Sequence, residues 1–452
     1  MLDLLPIFMF LTLMIVLFSG YPVAFVLFAV TLVFACIGIA FGLFPASNLM
    51  MIPLRTFGQF ADNLIFPAIP PLICMGVAIA RSGLAADFFD SLSYVLRKVP
   101  AGPQLSVLLI GIILAPSAGL IGASVSVLAV AAMPTMLARN IPPASSAAAV
   151  AASGTLGVIL PPAIMLFFLA DLLEIPIVGI FTSILIPAAL LLAGYVVYFM
   201  ASDLFRGRRQ QQPALDDPLG GSPSLGKLIG ASVPTVLLIG LVVTAIISGW
   251  ATPSQSGAVG AVGAFALMAL LGRLSLSKAY EILLETARIT AMVFMVIIGA
   301  NMFSFVFRLL GGDTIILPML SALGLERWGQ LTFILGVIFV LGFFIDWLEI
   351  VLITLPVFQP VIANLDFAGY VGDAMLMRVW IATAIAIVLQ TSFLTPPFGF
   401  ALFFLKASSP PEVKLIDIYR GAVPLVIIQL LVLALVLAAP WLAVVLPRLV
   451  IS

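Results

Sequence analysis

Two proline pairs carry the first sign of chemistry. Pro161-Pro162 closes the run Gly154-Thr-Leu-Gly-Val-Ile-Leu-Pro-Pro162, and Pro396-Pro397 closes Thr391-Ser-Phe-Leu-Thr-Pro-Pro397; an apolar aromatic tail follows each. Adjacent prolines remove two backbone donors and bend a helix, which frees carbonyls near its middle. Thr155 and Gly157 stand beside the first break, and Thr391, Ser392, Thr395 and Gly399 beside the second. Freed carbonyls with Ser and Thr hydroxyls suit Na⁺, and half-helix N-termini suit an anionic group on a solute. Two other kink-prone stretches offer similar groups. Ser117, Gly119, Gly122 and Ser124 follow Pro116, and Asp346 and Glu349 follow Gly342. An intramembrane carboxylate is costly and marks a functional position. Asp346, nearer the break, reads as a structural or ion-site carboxylate, and Glu349 as a brace within its own segment. The expectation is one Na⁺ site per half of the chain: Ser124 with Thr155, and Thr391 with Thr395, with Asp346 setting the charge near the second. Against each glycine and serine stands simple helix packing, and against each hydroxyl a bond back to its own helix.

The composition places these residues in a membrane. The chain has 452 residues, of which 63% are hydrophobic and 8% charged, against about 25% charged in a soluble domain. There is no histidine, which removes Ser-His and Cys-His catalysis, His-ligated metals and an imidazole switch. No nucleophile–base pair is recognisable, so the chain is not expected to be an enzyme, and no cofactor is called for. The 19 basic and 19 acidic residues balance, which argues against nucleic-acid binding. Cys36 and Cys74 lie in apolar runs and read as packed or lipid-facing thiols. Gly221 to Leu228 nearly spells a phosphate-binding loop, but Leu228 stands where a Mg²⁺-binding hydroxyl is needed. Gly257, Gly260 and Gly263 read as a close helix-packing face.

The elements that must position the site follow from length. Apolar runs cover 4–41, 65–79, 105–137, 145–170, 177–200, 228–248, 257–271, 289–307, 331–363, 379–405 and 422–446. The first, interrupted at Gly20-Tyr21-Pro22, is one bent helix or two short ones. One span needs about 20 residues, so 105–137 and 331–363, about 33 residues each, fit re-entrant helical hairpins. Each hairpin is followed by a broken helix, at 145–170 and 379–405. The order span, hairpin, broken span therefore occurs twice, as a membrane repeat in 1–201 and another in 228–452, joined by a polar linker at 202–227. With that linker in the cytoplasm, one crossing per span puts fourteen of the nineteen basic residues on the cytoplasmic side. Arg55, Arg308, Arg327, Arg378 and Arg448 remain on the other. The two copies then run in opposite directions, so the expected fold is all-α, an inverted-topology repeat with a binding site where broken helices meet.

Four stretches of this sequence resemble one family: Pro116 through Pro162, Ala251-Thr-Pro-Ser-Gln-Ser-Gly-Ala-Val-Gly260, Phe344-Ile-Asp-Trp-Leu-Glu349 and Leu389-Gln-Thr-Ser-Phe-Leu-Thr-Pro-Pro-Phe-Gly399. They look like the large membrane (permease, DctM-like) subunit of tripartite ATP-independent periplasmic (TRAP) transporters, over essentially the whole chain. The resemblance implies an elevator-type transporter in a bacterial inner membrane, with Na⁺ as coupling ion. It implies a small four-helix membrane partner and a periplasmic solute-binding protein that delivers a carboxylate-bearing solute. The first tip reads Gly119-Leu-Ile-Gly122-Ala-Ser124, closer to the branch labelled mannitol/chloroaromatic than to the Ser-Gly-Ser-Ser of the dicarboxylate and sialic-acid branches. A stand-alone carrier of similar inverted-repeat architecture is the competing function.

Overall fold

The computed structural model describes residues 2–63, 65–83, 89, 92–114, 121–205, 225–315, 318 and 324–451. Among them every regular element is helical. Seven helices are long and apolar enough to cross a membrane, or eight when the bent pair Pro143–Ile159 and Ile164–Leu172 is counted as one span. The chain is an all-α integral membrane protein.

The first apolar run is two helices, Leu5–Leu17 and Val23–Ala40. Gly20 takes a φ of 78° between them, a left-handed conformation open to glycine at little cost. Helix Leu276–Leu309 runs through 34 residues, about 51 Å at 1.5 Å per residue. It begins well before the apolar run at 289, because its first turns are held by polar partners. Ser275 caps it, and Arg81 pairs with Glu281 at 3.4 Å and Glu285 at 2.6 Å. Arg273 donates to the Ser82 carbonyl at 3.0 Å on the same face. The far end carries Arg308, which donates to Gln359 at 3.4 Å, and Phe305, over whose ring Arg55 lies at 4.6 Å. The basic residues assigned to opposite sides are thus separated by the length of one helix. The glycine face of Pro253–Leu270 is a packing face: a Cβ on Gly257 would lie 3.1 Å from Leu72, on Gly260 2.4 Å from Met75, and on Gly263 2.4 Å from Leu238.

Both hairpins are present. The first is Gly102–Leu114 and Ile121–Ala138. The second is Arg327–Leu341 and Trp347–Asn364, turned at Gly342. Arg327 donates to the Asp366 carbonyl at 2.9 Å, so the second hairpin enters and leaves on one face. Trp328, Phe367, Tyr370 and Trp380 close that mouth with ring centroids 4.7 to 6.1 Å from Trp328. The mouth lies on the face of Arg378, which pairs with Glu174 at 3.5 Å. From Glu174 the chain crosses through Ile177–Ser183 and Leu185–Phe205 to Asp203, which accepts the Ala101 N–H at 3.1 Å at the foot of the first hairpin. The two hairpins therefore open to opposite faces.

Each broken span follows its hairpin, as Pro143–Ile159 with Ile164–Leu172 and as Ala374–Ser392 with Phe400–Ser408. The first is bent by 42°. Both Pro-Pro peptide bonds are cis. Glu174 beyond the end of the first span meets Arg378 near the start of the second, so the spans run antiparallel; the second is also tied to helix Ile177–Ser183, through Thr383 and Ser183 hydroxyls 2.7 Å apart. The run 422–446 is two helices, Leu415–Ala438 and Trp441–Ile451, because Pro440 cannot continue the first.

The halves are interlocked. Phe168, in the second part of the first broken span, lies 5.7 Å from Trp347 at the start of the second hairpin's leaving helix. Phe404, in the second part of the second broken span, seats on Gly122 of the first hairpin's leaving helix; a Cβ there would lie 2.6 Å from the ring. Each hairpin thus packs on its own broken span and on the other half's.

Candidate functional site

The second hairpin turns at Gly342 against its own broken span. A Cβ on Gly342 would lie 1.8 Å from Ser392 Oγ and 2.5 Å from Ser392 Cβ. Only glycine lets the turn approach the break so closely. Ser392 donates to the Leu389 carbonyl at 2.7 Å, Thr391 to Ile387 at 2.7 Å and Thr395 to Thr391 at 2.8 Å. Each hydroxyl proton is therefore committed to its own helix, while the oxygen lone pairs stay available to a cation. In a continuous helix, Pro396 and Pro397 would reach the Ser392 and Phe393 carbonyls. They have no N–H, and these carbonyls accept instead from Thr395 N and Ala401 N, each at 3.2 Å. Gly399, at φ 36°, starts the second half-helix; a side chain there would meet the Phe393 carbonyl at 2.9 Å. Its glycine identity is explained by backbone geometry.

Asp346 is buried and caps helix Trp347–Asn364, accepting the Trp347 N–H at 2.8 Å. Glu349 does not brace the hairpin as the sequence led us to expect: its Oε2 is buried with no hydrogen-bond partner among the described residues. Its first-turn position sets its acid against the positive helix end instead. Asp346 and Glu349 thus put two acids within one turn of the hairpin's break.

The first half repeats the contact pattern. The Ser153 hydroxyl donates to the Val107 carbonyl at 2.5 Å, and a Cβ on Gly111 would overlap Ser153 Oγ at 2.0 Å, so the entering helix lies directly on the broken span. Val125 seats on Gly154, where a Cβ would lie 2.5 Å from it. That contact joins the segments carrying Ser124 and Thr155, each one residue away. Ser124 Oγ is buried without a hydrogen-bond partner among the described residues. Thr155 is fully buried and donates to Ala151 at 2.9 Å. Gly157 is buried, and its carbonyl, with that of Val158, would have taken the N–H groups that Pro161 and Pro162 lack. Gly122 is a packing glycine under Phe404. Ser117 and Gly119 lie outside the described residues.

One residue of this region was not singled out from sequence. Gln390 is fully buried, and neither its amide nitrogen nor its amide oxygen has a partner among the described residues. Buried polar groups are nearly always bonded, and an exception calls for an unseen ligand, ion or water. The available signal was a lone glutamine at the end of an apolar run, next to Thr391. No three His, Cys, Asp or Glu side chains converge among the described residues. The oxygens gathered at the breaks are hydroxyls, amides, carbonyls and the two second-hairpin acids.

The comparisons agree with this architecture. The family described as "Tripartite ATP-independent periplasmic transporter, DctM component" matches residues 10–442. The C4-dicarboxylate TRAP transporter large permease protein DctM of Pseudomonas aeruginosa is 25% identical, over 90% of this chain and 91% of its own. The sialic acid TRAP transporter large permease protein SiaM of Vibrio cholerae is 24% identical, over 96% of each chain. The 2,3-diketo-L-gulonate TRAP transporter large permease protein YiaN of Escherichia coli is 24% identical over 84% and 85%. Among solved structures, the YdaH transporter of Alcanivorax borkumensis, described as having an unusual topology, superposes with a TM-score of 0.62. It covers 88% of this chain and 90% of its own at 16% identity, a likeness of fold. A helical chain of paired hairpins and broken spans that matches this family from residue 10 to residue 442 belongs to the DctM component of the tripartite ATP-independent periplasmic transporters, as a DctM-like large permease subunit.

Proposed function

We propose that this subunit imports a small carboxylate-bearing solute across a bacterial inner membrane, driven by a Na⁺ gradient. The supporting observation is the pair of hairpins that open to opposite faces, each seated on a broken span that buries hydroxyls (Thr155 in the first, Thr391 and Ser392 in the second), with the oxygens of Ser124, Glu349 and Gln390 unpartnered among the described residues. Na⁺ is a hard cation that seeks several oxygen ligands, and neither a hairpin nor a break supplies enough alone. We assign one ion to Ser124 and Thr155 with the carbonyls near Gly157. We assign the other to Thr391 and Thr395, with Ser392 beside them. Asp346 and Glu349 supply negative charge near the second ion, and bound Na⁺ would offset the cost of burying them.

The solute's carboxylate would meet the N-terminal ends of the second half-helices, Ile164–Leu172 and Phe400–Ser408. The hairpins and broken spans would move together against the remaining helices, an elevator-type motion. The face of Arg81 and Arg273 is the cytoplasmic one, by its excess of basic residues. A small four-helix membrane subunit would complete the scaffold, and a periplasmic binding protein would deliver the solute. The chain would then comprise membrane repeats in 1–201 and 228–452 joined by a cytoplasmic linker at 202–227.

The test is uptake by the subunit reconstituted with both partners. Accumulation should require an inward Na⁺ gradient and be indifferent to ATP. Unchanged uptake with K⁺ in place of Na⁺ would remove the ion assignment, and uptake without the binding protein would favour a stand-alone carrier.

A further inference from the structure

A cavity of about 200 Å³, lined by none of the residues placed at the breaks, lies between helix Met51–Asp62 and the last turns of helix Leu276–Leu309. It is lined by Arg55, Thr56, Asn301, Ser304 and Arg308, among others. One water takes up about 30 Å³, so a much larger polar group fits. Two guanidinium groups face this one space. Arg55 is held over the Phe305 ring at 4.6 Å, and the described residues place no carboxylate within ion-pairing distance of it. Arg308 reaches one acid, Asp313, at the long distance of 3.8 Å, and Gln359 at 3.4 Å. The cavity is therefore net positive, with hydroxyls from Thr56 and Ser304 beside the two cations.

The surroundings define the ligand. Helix Met51–Asp62 has 12 residues, too few to span the roughly 30 Å hydrocarbon core. While Arg55 and Thr56 line the cavity, Leu54 and Phe57 are 69% and 74% exposed beside it. A short helix with cationic and bulky apolar side chains so arranged suits the membrane interface. The face is that of Arg308, opposite Arg81. A soluble anion would need only the cations; an amphiphile would use the cations and the apolar flank together.

We infer that this cavity seats the phosphate of a membrane phospholipid, with Arg55 and Arg308 clamping the phosphodiester and Leu54 and Phe57 lying along its acyl chains. Guanidinium groups match phosphate oxygens in charge and geometry. Since Arg308 also touches Gln359 on the second hairpin's leaving helix, the bound lipid would sit where helix Met51–Asp62, the long helix and the hairpin meet.

The full-length subunit, delipidated in detergent, should be titrated with phosphatidylglycerol and, separately, with diacylglycerol of the same chains. Bound lipid would be counted by native mass spectrometry and thermal unfolding followed in parallel. The expected result is one tightly held phosphatidylglycerol that raises the unfolding temperature, and weak diacylglycerol binding. Arg55→Gln with Arg308→Gln should weaken phosphatidylglycerol binding by roughly tenfold or more, as expected for losing charge-assisted hydrogen bonds. Arg378→Gln, on the same face, should leave it unchanged. Equal binding of the two lipids by the unaltered protein, which needs no variant to fold, would overturn the proposal. So would unchanged phosphatidylglycerol binding in the double variant, or equal thermal protection by millimolar inorganic phosphate without lipid.

Discussion

Replacing Gly342 by alanine tests a close approach between a hairpin and a break. The added Cβ would lie 1.8 Å from Ser392 Oγ and 2.5 Å from Ser392 Cβ. Carbon atoms pack at about 3.5–4.0 Å, and a carbon–oxygen contact is only slightly shorter, so the turn must withdraw from the span by roughly 1–1.5 Å. Ser392 cannot simply swing away, because its hydroxyl is bonded to the Leu389 carbonyl at 2.7 Å. Overpacking of this kind costs about 1–3 kcal/mol. That strain falls on conformations in which the turn is seated on the break, so their population should fall by about 5- to 150-fold. Gly342→Ala should therefore insert and assemble normally, yet take up solute at least fivefold more slowly at limiting Na⁺. Ser392→Gly in the same chain removes both clashing atoms. The next neighbour of the new Cβ, the Ile338 carbonyl, lies at an acceptable 3.5 Å. The double variant should recover part of the loss, read as a coupling energy in a double-mutant cycle. The assay is Na⁺-dependent uptake in proteoliposomes, with thermal unfolding of each variant alongside. A Gly342→Ala protein with unaltered uptake and stability, or a defect that Ser392→Gly leaves untouched, would refute the seated-turn geometry.

Thr395→Val keeps the shape and removes the hydroxyl; if Thr395 ligates Na⁺, half-maximal uptake should need about tenfold more Na⁺, whereas unaltered dependence would leave the hydroxyl only its 2.8 Å bond to Thr391. Gln390→Met removes one buried amide whose nitrogen and oxygen are both unpartnered among the described residues, so it should leave stability unchanged or raise it by about 1 kcal/mol while impairing uptake; normal uptake would mean that nothing binds the amide. Single cysteines within 202–227 should react only from the cytoplasm and those at 171–174 only from outside, and reaction from one common side would break the assigned orientation. Arg81→Ala breaks an exposed pair with Glu281 and Glu285 and should cost less than about 1 kcal/mol; a larger loss in thermal unfolding would show that the pair is not solvent-screened.

Much of the architecture was legible because its signals are local. A Pro-Pro pair cannot continue a helix wherever it falls, and 33 apolar residues are too many for one span and too few for two. Gly342 and the two breaks could be placed from those facts. What could not be read were contacts between distant segments. Gly122 looked like open backbone at a tip, but its face is filled by Phe404, nearly three hundred residues away along the chain. Glu349 looked like a brace, but its Oε2 has no hydrogen-bond partner among the described residues. The cavity at Arg55 and Arg308 joins residues with no shared pattern in the chain. Thr155, Thr391 and Thr395 were picked for their oxygens, and spacing alone cannot tell that each proton goes back to its own helix. Gln390 was overlooked because a glutamine is unremarkable until its burial is known.

The exchange of contacts between the halves bears on how many independent movements the molecule has. Trp347 rests on Phe168, and Phe404 on Gly122, so each hairpin is held by a half-helix that belongs to the other copy. Close-packed interiors shift as bodies and do not deform gradually. A hairpin cannot slide alone without opening a void beside an aromatic ring of the opposite copy. Neither half therefore has a moving part of its own. Under the proposed function, two ion sites built on such a frame would share one stroke, and a cycle that shifted one of them while the other stayed behind would have to open that void first.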